Sequence, residues 1–482
     1  MLDFRPIFLI LGLLLSTLAV VMVIPAIADI VAGNPDWQIF AVGSGVTLFI
    51  GVSLSLTSRA GGASLSVRQA FILTTMSWIV LTTFAALPFA FSQLNLSFTD
   101  AFFEAMSGIT TTGSTIIVNL DNVPLGLLLW RSLLQWLGGI GIIVMALAVM
   151  PLLRVGGMQL FRMESSDLSE KALPRAAQVA AAITAIYVVL TIIWATLLWF
   201  AGMSGFDAVT HAMTTIATGG FSNYDASIGH FNSVAIDTII TVGMVIGSLP
   251  FLLYLMLLQG KPGNLLNDTQ VQLFLTFLCV IIVLVAGWLW VQNGEEPGHA
   301  LRLAAFNITS IMTGTGYATS GFDKWGSFAI PIFFFIMFIG GCAGSTTCGI
   351  KIFRFQILYA AAKMQFYNLA QPHGVYIPYY NHRPIPEEVI SSVMSFFFVF
   401  FATYITLAVM LGLLGLDFIT SVSAAASAIS NVGPGLGSIV GPEGNYGGLP
   451  ATAKWILSIG MLLGRLELFT VMVLFTRSFW RA

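Results

Sequence analysis

The stretch AMSGITTTGS at residues 105–114 decides the fold, because three later stretches share its form. Residues 212–221 read AMTTIATGGF and align with it without a gap. Residues 308–317 read ITSIMTGTGY and match if one extra residue is allowed, and residues 426–434 read ASAISNVGP. Each stretch combines a short apolar segment with a glycine turn, and the turns recur about every 100 residues, which leaves room for two membrane spans and a re-entrant loop per unit. The pattern predicts a pore built from four repeats.

The composition predicts an integral membrane protein. Hydrophobic residues make up 57% of the 482 residues and charged residues only 8%, too little charge to cover a soluble surface. The net charge of −2 comes with no basic stretch that would predict nucleic-acid binding. The three cysteines form no even framework for disulfides, and the five histidines lack metal-ligand spacing. We therefore predict no cofactor and no metal site other than one for a transported ion.

Apolar runs predict ten membrane spans, and the first is too long for a signal peptide. Between the two spans of each later pair lies a segment of about a dozen residues, too short to cross and followed by a glycine turn. We predict four re-entrant pore helices, whose turns line a cavity because irregular backbone at membrane depth is otherwise excluded. The predicted spans are 7–31, 38–58, 70–92, 130–153, 176–201, 233–260, 270–292, 328–360, 389–414 and 451–478, and the predicted pore helices are 98–110, 205–217, 299–312 and 417–430.

The positive charges predict the orientation. Most Lys and Arg residues fall on the side that holds both predicted termini, which is therefore cytoplasmic. The side of the four turns is acidic and has few basic residues. An acidic pore mouth would concentrate cations by field focusing, whereas ordinary solvated loops would explain the same charges. The acidic residues there are Asp100, Glu104, Asp121, Asp207, Asp225, Glu295, Glu296, Asp323, Asp417 and Glu443, and the basic ones are Arg302, Lys324 and Lys454.

The glycine turns predict a selectivity filter for potassium. Glycine permits the backbone conformations that aim successive carbonyl oxygens at an axis, where they replace the hydration shell of the ion. A helix C-cap would explain one such glycine, but four in the same context favour a filter. The predicted ion ligands are the carbonyls of Thr111, Thr112, Gly113, Thr218, Gly219, Gly220, Gly314, Thr315, Gly316, Asn431, Val432 and Gly433.

The predicted span 328–360 contains too many glycines for a regular helix, so we expect an irregular loop at 340–349 that lines the pore. Such a loop could act as a gate, or its small residues could only allow close helix packing. Arg465 lies inside the last predicted span, where a charge is costly. It either faces the pore beneath the filter or forms an ion pair with another span. Arg131 lies near a span end, and we expect it to snorkel to the outer interface.

The chain resembles the Trk/Ktr/HKT superfamily of potassium transporters, and within it the TrkH family, over essentially its whole length. The motifs behind the resemblance are TTTGS at 110–114, ATGGFS at 217–222, GGCAGST at 340–346 with GIK at 349–351, and GRLE at 464–467. The resemblance implies an all-α fold of four membrane–pore–membrane repeats around a pseudo-fourfold axis, preceded by two transmembrane helices. We place the leading helices at 1–62 and the repeats at 63–155, 156–262, 263–372 and 373–482.

The resemblance implies potassium uptake across the bacterial inner membrane through a channel-like pore, by a homodimer. It further implies control by a cytosolic ring of nucleotide-binding TrkA subunits, which we expect at a basic surface beside acidic residues 164–170. The gate that it implies comprises Gly340, Gly341, Gly344, Ser345, Thr346, Gly349 and Arg465. The residues expected at the docking surface are Arg154, Arg162, Lys171, Arg175, Lys351, Arg354 and Lys363. One departure from the family's glycine-rich run, Thr347-Cys348 before Gly349, bears on the flexibility of the gate.

Three other functions are alternatives to potassium uptake. An intramembrane serine protease would require a GxSG serine and a membrane histidine, which the sequence lacks. A proton-coupled carrier would show inverted repeats and interior carboxylates, and only Asp237 and Glu467 are candidates. A sodium-permeable pore or cation-coupled symporter of the same fold is the main alternative. In plant relatives a serine at a filter-glycine position marks sodium preference, and all four positions here are glycine.

Overall fold

The computed structural model describes residues 3–59, 65–148, 172–381 and 383–481 of the chain, and most of them are helical. In these ranges seven helices are long and apolar enough to cross a membrane, or nine if each of two sharply bent pairs counts as one span. The remaining predicted span, 328–360, is the eighth along the chain and is interrupted between two helices. The all-α membrane fold predicted from the sequence is therefore confirmed.

The order of span, short helix, glycine turn and second span occurs four times after a leading helical hairpin. The helices are Arg5–Ala32, Trp37–Thr57, Val67–Ala85, Leu87–Phe91, Phe98–Ile109, Leu125–Ala148, Ala172–Phe200, Gly205–Ile216, Val234–Gly247, Phe251–Leu258, Gly263–Leu266, Thr269–Gln292, Pro297–Met312, Ala329–Ile336, Ile352–Ala370, Glu387–Leu413, Phe418–Ser430, Gly437–Val440, Ala451–Arg465, Phe469–Met472 and Arg477–Arg481. Short 3₁₀ turns span Leu120–Asn122, Ser227–Phe231, Phe322–Lys324 and Val473–Phe475. Strands Tyr379–Tyr380 and Arg383–Pro384 pair antiparallel.

The four short helices that precede the turns, here called the pore helices, match their predicted bounds to within two residues. Three of them follow a residue whose side chain accepts a hydrogen bond from the backbone N–H three residues later. These residues are Ser97, Ser204 and Asp417. The third pore helix instead has Pro297 at its first position, where no backbone donor is needed. These local signals fix where each pore helix starts.

The leading hairpin is held by close backbone packing. A Cβ added at Gly12 would lie 2.5 Å from the carbonyl oxygen of Gly51, and one added at Gly51 would lie 2.9 Å from that of Gly12. At the other end of the hairpin, buried Asp29 accepts a hydrogen bond from the backbone N–H of Gly126 at 2.7 Å. The hairpin is thereby attached to the second span of the first repeat.

Two of the predicted spans, 233–260 and 451–478, are sharply bent. Helices Val234–Gly247 and Phe251–Leu258 meet at 93°, and helix Ala451–Arg465 meets the following segment at 105°. Pro250 lies at the first bend and cannot donate a helical hydrogen bond. At the second bend Glu467 and Leu468 both have left-handed backbone conformations, with φ of 57° and 48°. Neither bend was predicted, because apolar composition does not report a local backbone break.

Candidate functional site

The four glycine turns have the same backbone conformation. Each turn contains a triplet, the three residues predicted from the sequence as ion ligands, and its first and last residues are left-handed. Such alternation turns successive carbonyl groups toward one side of the chain. The φ values of the first and last residues are 52° and 88° for Thr111 and Gly113, 49° and 76° for Thr218 and Gly220, 72° and 87° for Gly314 and Gly316, and 53° and 101° for Asn431 and Gly433.

The four triplets close into a ring. The last glycine of each of the first three triplets lies against the carbonyl oxygen of the middle residue of the next triplet along the chain. The last glycine of the fourth triplet lies against the middle residue of the first triplet, which closes the ring. A Cβ added at Gly113 would lie 2.3 Å from the oxygen of Gly219, and one added at Gly220 would lie 1.8 Å from the oxygen of Thr315. A Cβ added at Gly316 would lie 2.1 Å from the oxygen of Val432, and one added at Gly433 would lie 2.9 Å from the oxygen of Thr112. The structure thus brings all twelve predicted residues together, and only glycine fits at the last position.

A serine or threonine that was not predicted as a site residue lies six positions before the last glycine of each triplet. Its backbone carbonyl accepts a hydrogen bond from the middle residue of the triplet, at 2.8 to 3.1 Å in all four turns. The four residues are Ser107, Thr214, Ser310 and Ser427. The equal offset also corrects the alignment of the third turn, which needs no extra residue. The signal was present in the aligned stretches as a recurrent Ser or Thr.

Side chains of the helix Leu125–Ala148 hold the second turn. The amide of Gln135 donates to the carbonyl of Gly219 at 2.5 Å and accepts from the N–H of Phe221 at 3.0 Å. Arg131 donates to the carbonyl of Ser222 at 2.7 Å and forms a 2.8 Å ion pair with Glu104. Both charged side chains are almost fully buried. The prediction that Arg131 snorkels to the interface was therefore wrong, because a buried carboxylate on the pore helix compensates its charge.

A cavity of about 230 Å³ lies on the side of the ring that the sequence predicts to face outward, and the last glycines of all four triplets line it. This side of the protein carries less unpaired negative charge than the sequence indicated, because Glu104 forms an ion pair with buried Arg131. The three basic residues on this side are also paired: Lys454 with Asp100, Lys324 with Glu443, and Arg302 with Asp237. The bond to Glu443 raises the pKa of Lys324, and burial raises the pKa of the Asp323 carboxyl. Asp225 and Glu443 are the acidic residues that line the cavity itself.

The break predicted at 340–349 is present, between helices Ala329–Ile336 and Ile352–Ala370. The 340–349 loop docks against the bend of the second repeat: Cys342 and Thr346 donate backbone hydrogen bonds to Ser248 and Gly247, and Phe251 donates one to Gly344. The Ser345 hydroxyl donates to the carbonyl of Cys342 at 2.6 Å. A Cβ at Gly340 would lie 1.9 Å from the carbonyl oxygen of Cys348, and one at Gly341 would lie 2.9 Å from that of Ser248. Gly344 and Gly349 have positive φ.

The 340–349 loop contacts the ring directly. The hydroxyl of Thr218, the first residue of the second triplet, donates to the hydroxyl of Thr346 at 3.0 Å. The hydroxyl of Thr111, the first residue of the first triplet, lies 3.9 Å from the sulfur of Cys348. A shift of this loop would therefore change the surroundings of the ring.

Arg465 lies at the end of helix Ala451–Arg465 and is buried against the same loop. It donates to the carbonyl of Thr346 at 3.2 Å, to the sulfur of Cys348 at 2.6 Å and to the carbonyl of Gly138 at 2.8 Å. The nearby carboxylate of Glu467 pairs instead with Arg354. The ion-pair alternative for Arg465 is thus not supported by these contacts, which are neutral oxygens and a thiol.

Two residues of the predicted basic docking surface are buried. Arg354 pairs with Glu467, and Lys351 donates to the carbonyl of Thr347. Neither side chain is available to a partner, so this part of the prediction was wrong. Lys363 is exposed. Residues 149–171, which include Arg154, Arg162, Lys171 and the acidic residues at 164–170, and the side chain of Arg175 lie outside the described part of the chain.

The closed ring of re-entrant turns inside a helical membrane fold defines a membrane protein of the pore-loop class. A family model described as "TrkH: Cation transport protein" matches residues 37–481, and the chain belongs to this family. The chain is 44% identical over 479 residues to the "Trk system potassium uptake protein TrkI" of Halomonas elongata, which covers 99% of this chain and 97% of that protein. It is therefore a transport protein and not an enzyme.

Two further comparisons agree with this membership. The chain is 38% identical to the "Trk system potassium uptake protein TrkH" of Escherichia coli over 484 residues, with 99% of this chain and 100% of that protein covered. The crystal structure of the potassium transporter TrkH from Vibrio parahaemolyticus matches with a TM-score of 0.93 and 35% identity, over 100% of both chains. Since the match extends over the whole length, the resemblance identified from the motifs is confirmed.

Proposed function

We propose that this protein takes up potassium through a channel-like pore, with the twelve triplet residues as its selectivity filter. The observation that carries the proposal is the closed ring, in which four carbonyl oxygens of equivalent residues each face the glycine of a neighbouring turn. Rings of backbone carbonyls replace the hydration shell of potassium. All four pore helices end at the ring, so the negative ends of their dipoles also favour a cation there.

We propose the 340–349 loop and Arg465 as the gate. The gate residues are Gly340, Gly341, Gly344, Ser345, Thr346, Gly349 and Arg465. Two observations support this role: the loop contacts the ring through Thr346, and the guanidinium of Arg465 donates to the same loop. In the closed state the loop obstructs the ion path and the arginine places a positive charge beside it. Its hydrogen bonds to the bend at Gly247 and Ser248 imply that the loop and this bend move together.

The oligomer, the regulator and the orientation are also proposals. We place the protein in the bacterial inner membrane with both termini in the cytoplasm, as the distribution of Lys and Arg favours. We propose a homodimer regulated by a cytosolic TrkA-type ring. The relatives are named as members of a Trk system, a name consistent with additional components. The burial of Lys351 and Arg354 leaves residues 149–175 and the exposed Lys363 as the proposed docking surface.

A coupled carrier receives less support from the contacts. Both candidate interior carboxylates have a basic partner, Asp237 with Arg302 and Glu467 with Arg354. The contacts therefore give neither residue the unpaired interior carboxylate that a proton carrier would use. Sodium permeation through the same ring remains the alternative outcome of the transport experiment.

Growth and flux measurements test the proposal. A bacterial host without its own potassium uptake systems should grow at limiting potassium when it expresses this chain together with a TrkA partner. Purified protein in liposomes should conduct potassium in preference to sodium. Rescue of growth without potassium flux in liposomes would point to coupled transport, and equal flux of both ions would favour the sodium-permeable alternative.

A further inference from the structure

A groove of about 1020 Å³ lies away from the ring, on the side that carries most of the positive charge. Its floor is the start of span Thr269–Gln292, where Thr269, Leu273 and Phe277 share one helix face at intervals of four residues. One wall is the helix Ile352–Ala370, and the other is the segment 375–381. Because Thr269 begins the span and Phe277 lies two turns inside it, the groove runs from the membrane interface into the apolar layer.

The walls of the groove are apolar and unusually exposed. Tyr359 is 71% exposed, Tyr379 58% and Val375 89%. Tyrosine is enriched where a membrane meets water, because its ring is apolar and its hydroxyl polar. At the membrane boundary, an apolar surface of this kind is suited to contact with lipid acyl chains or with another protein.

Polar groups occur at two levels of the groove. At the interface, the side-chain oxygens Oγ1 of Thr269 and Oε1 of Gln356 are buried and have no hydrogen-bond partner within the described residues. Two helical turns beyond Gln356, on the same face, Lys363 lines the groove and is the only basic one among the described residues that do. At the interface level, Gln356 donates through its Nε2 to the carbonyl of Thr269 at 2.8 Å, so the two polar side chains lie side by side.

We propose that this groove binds one anionic phospholipid of the surrounding membrane. An acyl chain packs along Leu273 and Phe277, the ester region lies beside the polar residues Thr269 and Gln356, and the phosphate pairs with Lys363. The order of apolar, hydrogen-bonding and positive groups along the groove matches the order of groups along such a lipid. Basic pockets between membrane helices recognise anionic headgroups in this way.

Native mass spectrometry of the full-length protein, with equimolar phosphatidylglycerol and phosphatidylethanolamine, tests the proposal. Wild-type protein should retain one phosphatidylglycerol in preference to phosphatidylethanolamine, and Lys363→Gln should reduce that preference about fivefold. Lys261→Gln removes an exposed lysine of the same predicted side that does not line the groove, and it should leave the preference unchanged. Ala360→Trp, which fills the groove, should abolish retention of both lipids.

The results that overturn the proposal are equally specific. Equal retention of both lipids by the wild type, or equal loss in Lys363→Gln and Lys261→Gln, would exclude an anionic lipid at Lys363. A second copy of this chain is the other possible occupant. If Tyr359→Cys cross-links two copies in native membranes while lipid retention is unaffected by Ala360→Trp, the groove is a protein interface. None of these measurements depends on ion transport, so the lipid site can fail while the proposed function stands, and the reverse.

Discussion

Replacing Gly113 by serine should disturb the ring more than any surface change of the same size. The new Cβ would lie 2.3 Å from the carbonyl oxygen of Gly219, whereas ordinary contact begins at 3.4 Å. Either the serine or the carbonyl must therefore move by about 1 Å, a displacement that alters a proposed ion ligand. In addition, the φ of 88° at this position costs a side-chain-bearing residue roughly 1–2 kcal/mol. Gly220→Ser is more severe, because its Cβ would lie 1.8 Å from the oxygen of Thr315.

We expect the potassium-to-sodium flux ratio to fall at least about tenfold in both variants, which corresponds to about 1.4 kcal/mol of lost discrimination. The assay is ion flux into liposomes that contain purified, monodisperse protein. Gly287→Ser is the matched control, because a Cβ there meets nothing within 4 Å. If the folded variants at Gly113 and Gly220 keep the wild-type flux ratio, the ring does not set ion choice and the reasoning is refuted.

Three other changes test the contacts around the ring. Gln135→Leu removes both hydrogen bonds to the second turn, so it should lower the melting temperature and the flux ratio, and no change in either would contradict its role. Arg465→Ala should raise potassium flux in liposomes that lack the regulatory partner, and deletion of residues 340–349 should raise it more. If Arg465→Ala unfolds the protein without altering the flux per folded molecule, the role of Arg465 is structural. Arg131→Met should destabilise the fold by about 3–5 kcal/mol in chemical unfolding, because it leaves Glu104 charged and buried. Adding Glu104→Gln should restore part of that loss, and a double variant no more stable than the single one would argue against the pair.

The repeats and the pore helices could be predicted because their signals are local. A capping residue such as Ser97 or Ser204, a dozen mostly apolar residues and a glycine turn are all readable within one short window. The closed ring follows from applying the same pattern four times. Glycine density likewise indicated the break at 340–349, since too many glycines in sequence disfavour a helix.

The remaining features depend on contacts between distant parts of the chain. Arg131 and Glu104 belong to different helices, and their 2.8 Å ion pair converts an expected snorkelling arginine into a buried one. The second bend contains two residues in left-handed conformations, Glu467 and Leu468. Their residue types give no signal for such a conformation. Such features arise from tertiary packing, which outweighs the local preferences that a sequence reveals.

The position of the bound ion tests the central claim most directly. Crystals of this protein grown with thallium, a heavy substitute for potassium, should show anomalous density on the axis of the ring, coordinated by the carbonyl oxygens of Thr112, Gly219, Thr315 and Val432. Thallium bound elsewhere in the pore, with the ring empty in protein that still conducts potassium, would contradict the account.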